Sequence, residues 1–121
     1  MPEKNDGLSI PASRHERVRA YYQSLDEHDY ERLASLLHPD FVQHRPDMTL
    51  DGRVEFVTFM RERRPNQETS HPIDAIYTQI DGDGVVVEGR LLDANGRRIT
   101  RFVDVFSFEE GLLWTLRTYV D

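Results

Sequence analysis

Up to about residue 65 the apolar side chains return every three or four positions, whereas beyond Pro72 they come in β-branched and aromatic runs broken by glycine-bearing turns. The first pattern is helical, the second extended. Ser13, with Glu16 three residues on, has capping-box spacing. Val18, Tyr21, Tyr22 and Leu25 behind it share one helical face, which predicts a helix from Ser13 to about Asp26. Asp29 caps a shorter second helix bearing Tyr30, Leu33, Leu36 and Leu37, and Pro39 stops it. Phe41 to His44 reads as extended. After a loop over Arg45 to Leu50, Asp51 caps a third helix whose stripe of Val54, Val57 and Met60 is widened by Phe56 and Phe59 and which ends at Pro65.

Four strands are predicted next: Ile73 to Ile80, Val85 to Leu92, Arg98 to Phe108 and Leu112 to Val120. The joints at Asp81-Gly82-Asp83-Gly84, Asn95-Gly96 and Glu110-Gly111 are short, so consecutive strands should be antiparallel neighbours. Three helices followed by a meander make an α+β domain with the helices on one face of the sheet. If the two later hairpins both have three-residue loops, Val86 faces Asp104, Glu88 faces Phe102, Asp104 faces Leu116 and Phe106 faces Trp114. The face under the helices would then carry Val86, Glu88, Arg90, Phe102, Asp104, Phe106, Trp114, Leu116 and Thr118. A slip of one residue would turn every one of these side chains over.

With 121 residues the chain has room for one domain. Residues 1–12, polar with two prolines and a glycine, read as a flexible arm, and residues 13–121 as the domain. Hydrophobic residues are only 38%, but six Phe, five Tyr and one Trp supply a core that disordered chains lack. A net charge of -7 argues against nucleic acid as a partner. The lack of any long apolar run argues against a membrane span or a signal sequence, and so for a cytoplasmic protein. The absence of Cys excludes disulfides, thiolate nucleophiles and Cys-built metal sites. The five His have no metal-ligand spacing, and no glycine-rich phosphate loop is present, so neither a metal nor a nucleotide cofactor is expected.

The candidate chemistry centres on Asp104. A carboxylate between Phe102 and Phe106 on a buried face must find a donor or rise in pKa toward the poise of a general acid or base. The alternative is a structural ion pair with Arg90 or Arg101. His44, closing the extended segment, is either a cavity residue or a surface loop histidine. Glu88 and Arg90, two residues apart, read as an internal ion pair or as substrate contacts. Tyr22, with Tyr21, Val57 and Met60, reads as core or pocket wall. Val103, Val105, Leu113 and Tyr119 on the other face would be an exposed apolar surface in a monomer, which points to a homodimer.

The run H-P-D-F-V-Q-H-R-P (His38 to Pro46), the Asp51-Gly52 before the third helix and V-D-V-F-S-F-E-E-G-L-L (Val103 to Leu113) resemble the SnoaL-like family. This family belongs to the nuclear transport factor 2-like superfamily, together with ketosteroid isomerases. The resemblance covers about residues 13 to 121. It implies a cone-shaped α+β barrel around a mainly apolar pocket, commonly in a homodimer, and cofactor-free acid/base chemistry on carbonyl compounds such as aldol ring closure or double-bond isomerisation. In that pattern Asp104 is the acid/base and His44 assists. Tyr22, Glu88, Arg90, Phe102, Phe106, Trp114 and Leu116 are then the expected substrate contacts for a small apolar carbonyl compound. The chain departs from the family where Arg45 replaces an Asn and where Thr115-Leu116-Arg117 replaces E-H-W. A domain that binds a ligand or dimerises without catalysing is the other reading.

Overall fold

In a computed structural model the described residues are 13–121, so the expected flexible arm over residues 1–12 lies outside them. Helix α1 runs Arg14–Asp26 under the expected capping box, with the Ser13 hydroxyl accepting from the Glu16 amide and Glu16 accepting from the Ser13 amide. Asp29 caps α2, Tyr30–Leu36. Strand β1, Leu37–His44, starts before Pro39 rather than after it, because a proline costs only one ladder donor and the β1 register is broken there. The expected loop over Arg45 to Leu50 is a tight return into a short strand β2, Thr49–Asp51. Gly52, at φ +105°, and not Asp51, precedes α3 (Arg53–Thr58), which widens into a π-helical turn over Phe59–Arg63. Strands β3 (Ile73–Thr78), β4 (Val85–Leu92), β5 (Arg98–Glu109) and β6 (Leu112–Val120) complete the chain.

The six strands form one sheet in the order β2-β1-β6-β5-β4-β3, antiparallel except where β1 runs parallel to β6. Val18, Leu33, Phe41, Phe56, Val87, Phe106 and Leu116 are buried in the single core cluster, to which both the helices and the sheet contribute. This is the expected α+β architecture.

Two bulges change the expected register, and with it the composition of the inner face. The β4–β5 hairpin closes as predicted, with Asp93 and Arg97 hydrogen-bonded across the loop and Leu92 opposite Arg98. Ile99 is then extra on β5, so Val87 and not Val86 lies opposite Asp104, and Gly89 and not Glu88 lies opposite Phe102. The Glu110-Gly111 turn has two residues, both at positive φ as a type I′ turn requires, rather than three. A bulge at Trp114 on β6 then places Thr118 opposite Asp104 and Leu116 opposite Phe106. Val86, Glu88, Arg90 and Trp114 therefore leave the inner face. Leu113, expected outside, is fully buried.

Gly89 now has a purpose. A Cβ there would lie 2.5 Å from Cζ of Phe102 and 2.8 Å from the backbone oxygen of Pro72, which is fixed by the Arg90 amide. Gly89→Ala should therefore cost about 1–3 kcal/mol, read as a lower denaturant midpoint at unchanged slope. An unchanged midpoint would show that the Phe102 ring has room to move.

Candidate functional site

A cavity of about 470 Å³ opens between α1, the π-helical turn and the inner face of the sheet, with Leu25, Met60, Leu91 and Phe102 among its apolar walls. Asp104 lines it and is only 5% exposed. The Tyr22 hydroxyl donates to Oδ2 at 2.6 Å and the Thr118 hydroxyl donates to Oδ1 at 2.6 Å. Behind Thr118 stands Gln43, whose Nε2 donates to the threonine oxygen at 2.9 Å. The carboxylate is thus held at one oxygen from α1 and at the other from β6, with β1 supporting Thr118 from behind, and with no cation in direct contact among the described residues. Burial pushes its pKa above the usual carboxylate value, while the bonds from Thr118 and Tyr22, and more distant His71 and Arg45, pull part of the way back. Burial and the neighbouring Asp104 raise the Tyr22 hydroxyl well above its ordinary value, so it remains a donor.

The structural alternative for Asp104 is removed by its neighbours. Arg90 pairs with Asp74 at 3.0 Å and Arg101 with Asp121 at 3.3 Å, both outside the cavity. Of the expected substrate contacts, Tyr22 and Phe102 line the cavity and their rings lie 5.6 Å apart. Phe106 and Leu116 are buried in the core and form no part of its lining; Phe106 meets Tyr21 edge-on at 5.3 Å. Glu88 is exposed and accepts from Tyr77, not from Arg90, and Trp114 is 40% exposed. These are corrections: the two bulges turn Glu88, Arg90 and Trp114 off the inner face, whereas Phe106 and Leu116 keep that face but are packed into the core. His44 is corrected as well. It follows Gln43 on β1, so the alternation that brings Gln43 to the cavity turns His44 away, and it does not line the cavity.

Several cavity residues had no local signal. His71 lines the wall, its Nδ1 2.6 Å from Asp26 Oδ1 and its backbone amide donating to Oδ2 of the same carboxylate. Its ring lies beside Tyr22 and Phe102, at 5.7 and 5.9 Å. Arg45 and Arg64 stand on the cavity wall too. Only the fold joins Asp26 to His71 across 45 positions. Gln43, by contrast, lay in the quoted Q-H-R-P run, and Thr118 on the expected inner face.

Among the described residues no group of three or more His, Asp or Glu could hold a metal ion, and no helix is long and apolar enough to cross a membrane.

A nuclear transport factor 2-like protein of unknown function from Cytophaga hutchinsonii superposes with a TM-score of 0.77 at 13% identity, over 94% of this chain and 95% of that one. A candidate ketosteroid isomerase from Kribbella flavida gives 0.74 at 20% identity, over 87% of this chain and 75% of that one. A candidate polyketide cyclase from Sinorhizobium meliloti gives 0.74 at 16% identity, over 91% and 95%. At such identities the likeness is one of fold. No curated protein matches the chain. The sequence model of the SnoaL-like domain matches residues 18–116, which include Tyr22, Gln43, His71 and Asp104 of the cavity wall, and the chain belongs to that family.

Proposed function

We propose that the protein is an acid/base enzyme, needing no cofactor, that moves a proton at a carbon next to the carbonyl of a small apolar compound. The observation that carries this reading is Asp104: a buried carboxyl at the wall of an apolar cavity, with both oxygens oriented by hydroxyl donors and, among the described residues, no cation in contact to lock it as a salt bridge. Ionised Asp104 takes the proton from carbon, and the electron pair moves onto the carbonyl oxygen to give an enolate. Returning the proton to the same carbon gives exchange, and to a vinylogous carbon gives isomerisation. Attack of the enolate carbon on a second carbonyl gives ring closure, the second C=O opening to an alkoxide that takes the proton back from Asp104. His71 replaces His44 as the assisting imidazole, since Asp26 holds Nδ1 and Nε2 has no partner among the described residues. The test is deuterium incorporation next to the carbonyl of 1-tetralone in D2O, followed by NMR. Incorporation no faster than in buffer with an inert protein would count against the reading.

A homodimer is proposed alongside it. Tyr77, Val105 and Tyr119 share the outer face of the sheet, 52%, 37% and 53% exposed, with Val86 and Val103 between them. A second copy covering this face would remove the apolar surface from water. Light scattering at micromolar concentration should give about twice 14.2 kDa in both low and high salt. A mass of one chain throughout would remove the dimer.

A further inference from the structure

The acids and bases of the cavity wall do not balance in the way its surroundings predict. In a chain with 22 acidic and 15 basic residues, an arginine at a cavity should find a carboxylate close by. Arg64 does not. It follows the π-helical turn, and its Nη2 donates to the backbone oxygen of Leu25 at 3.3 Å and to the Tyr30 hydroxyl at 3.1 Å, both neutral. Its Nε and Nη1 have no partner among the described residues. The guanidinium is therefore anchored at one end and uncommitted at the other. Arg45, on the same wall, lies over the Phe59 ring at 5.3 Å and, among the described residues, its side chain pairs with Asp47, at 3.2 Å through side chains 26% and 66% exposed. So exposed a pair holds weakly and yields to a competing anion.

We infer that Arg64, helped by Arg45, receives a carboxylate of the ligand, so that the compound taken by this cavity is an apolar carbonyl compound carrying a carboxylic acid. This rests on the reading of the cavity as a ligand site and adds the charge of the ligand to it. The apolar walls take the carbon skeleton, Asp104 faces the reacting carbon, and the acid group is held at the uncommitted Nη1 of the Arg64 guanidinium by a charge-assisted hydrogen bond. A carboxylate suits the site better than a phosphate. A dianion would share the cavity wall with Asp47 and Asp104, where, among the described residues, Arg64 has no carboxylate partner and Arg45 is already paired with Asp47. Holding the acid also fixes the skeleton's direction, which decides which carbon meets Asp104.

The probes are 2-naphthoate and its neutral isostere 2-naphthamide, titrated calorimetrically into the full chain. The naphthoate should bind at least tenfold more tightly, and that preference should shrink several-fold between 50 mM and 1 M NaCl while amide binding stays level or tightens. Arg64→Met should bring the two affinities to within about twofold without weakening the amide. Because Arg64 also ties Leu25 to Tyr30, its thermal midpoint is checked. Arg45→Met, which gives up the Asp47 pair and the Phe59 stacking, supplies a second variant that should lose part of the preference. Equal wild-type affinities for the two probes would overturn the carboxylate and leave the apolar cavity intact as a ligand site. So would a preference that survives both substitutions. Binding of neither probe would overturn the carboxylate and the cavity reading together.

Discussion

Asp104→Asn should cut deuterium incorporation into 1-tetralone by about 100-fold or more while leaving the protein as stable as the wild type, or more so, near neutral pH. The first effect follows from removing the buried carboxylate that the proposed reaction uses as its proton acceptor. The second follows from linkage. The folded pKa of Asp104 lies above its ordinary value of 3.8, so the native state holds this proton more tightly than the unfolded state. The contribution to stability is complete below the unfolded pKa and is lost as pH rises through the folded one. Wild type should weaken across that window and the Asn variant should not. Asparagine fits the hydrogen bonds, since its oxygen can accept from Thr118 and its amide can donate to Tyr22, whose hydroxyl has a free lone pair. Denaturant midpoints of both proteins from pH 4 to 8 give the comparison. A strongly destabilised Asn variant at pH 7 would make Asp104 a structural ion and take the proton-transfer reading with it.

Phe56→Ala is expected to be the most damaging single truncation, at about 3–5 kcal/mol, which is much of the stability of a domain this size. Phe56 is fully buried, packs edge-on against Phe41 at 4.8 Å and stacks on Tyr21 at 6.2 Å. Through Phe41 it holds α3 to the sheet, and through Tyr21 it supports a wall of the cavity. Denaturation should shift to a far lower midpoint, and 2-naphthamide affinity should fall even where the variant is still folded. A loss below 1 kcal/mol would mean that the neighbouring rings collapse into the space.

Most elements were legible in the sequence because they are written locally, in the Ser13–Glu16 box, the Asp29 cap and the glycine-bearing joints between strands, whereas β2 lies where a loop was expected and α3 starts from Gly52 rather than an Asp51 cap. The helical identity of α1 also put Tyr22 on the inner side, and the alternation along β5 put Asp104 and Phe102 there. Strand partners are another matter. Whether Glu88 or Gly89 meets Phe102 depends on one extra residue, Ile99, that no turn signal announces, and Trp114 moves outward for the same reason on β6. The parallel neighbour of β6 was invisible, since nothing near Gln43 says that Leu116 will lie beside it. His71 and Asp26 were unreadable because both are ordinary polar residues until the chain has folded.

The parallel pairing of β1 with β6 sets an order of events during folding. Gln43 reaches Thr118 across 75 positions and Tyr22 reaches Asp104 across 82, so the first bond waits for the last strand and the second for β5, the strand before it. The helices and β1 can become helical or extended early, but β1 has only the three-residue β2 to pair with before β6 arrives. Closing such long loops is slow relative to forming helices or neighbouring hairpins. On a ribosome the β3–β5 meander would therefore assemble first. The acid-bearing wall would be fastened last, in the same step that seals the sheet.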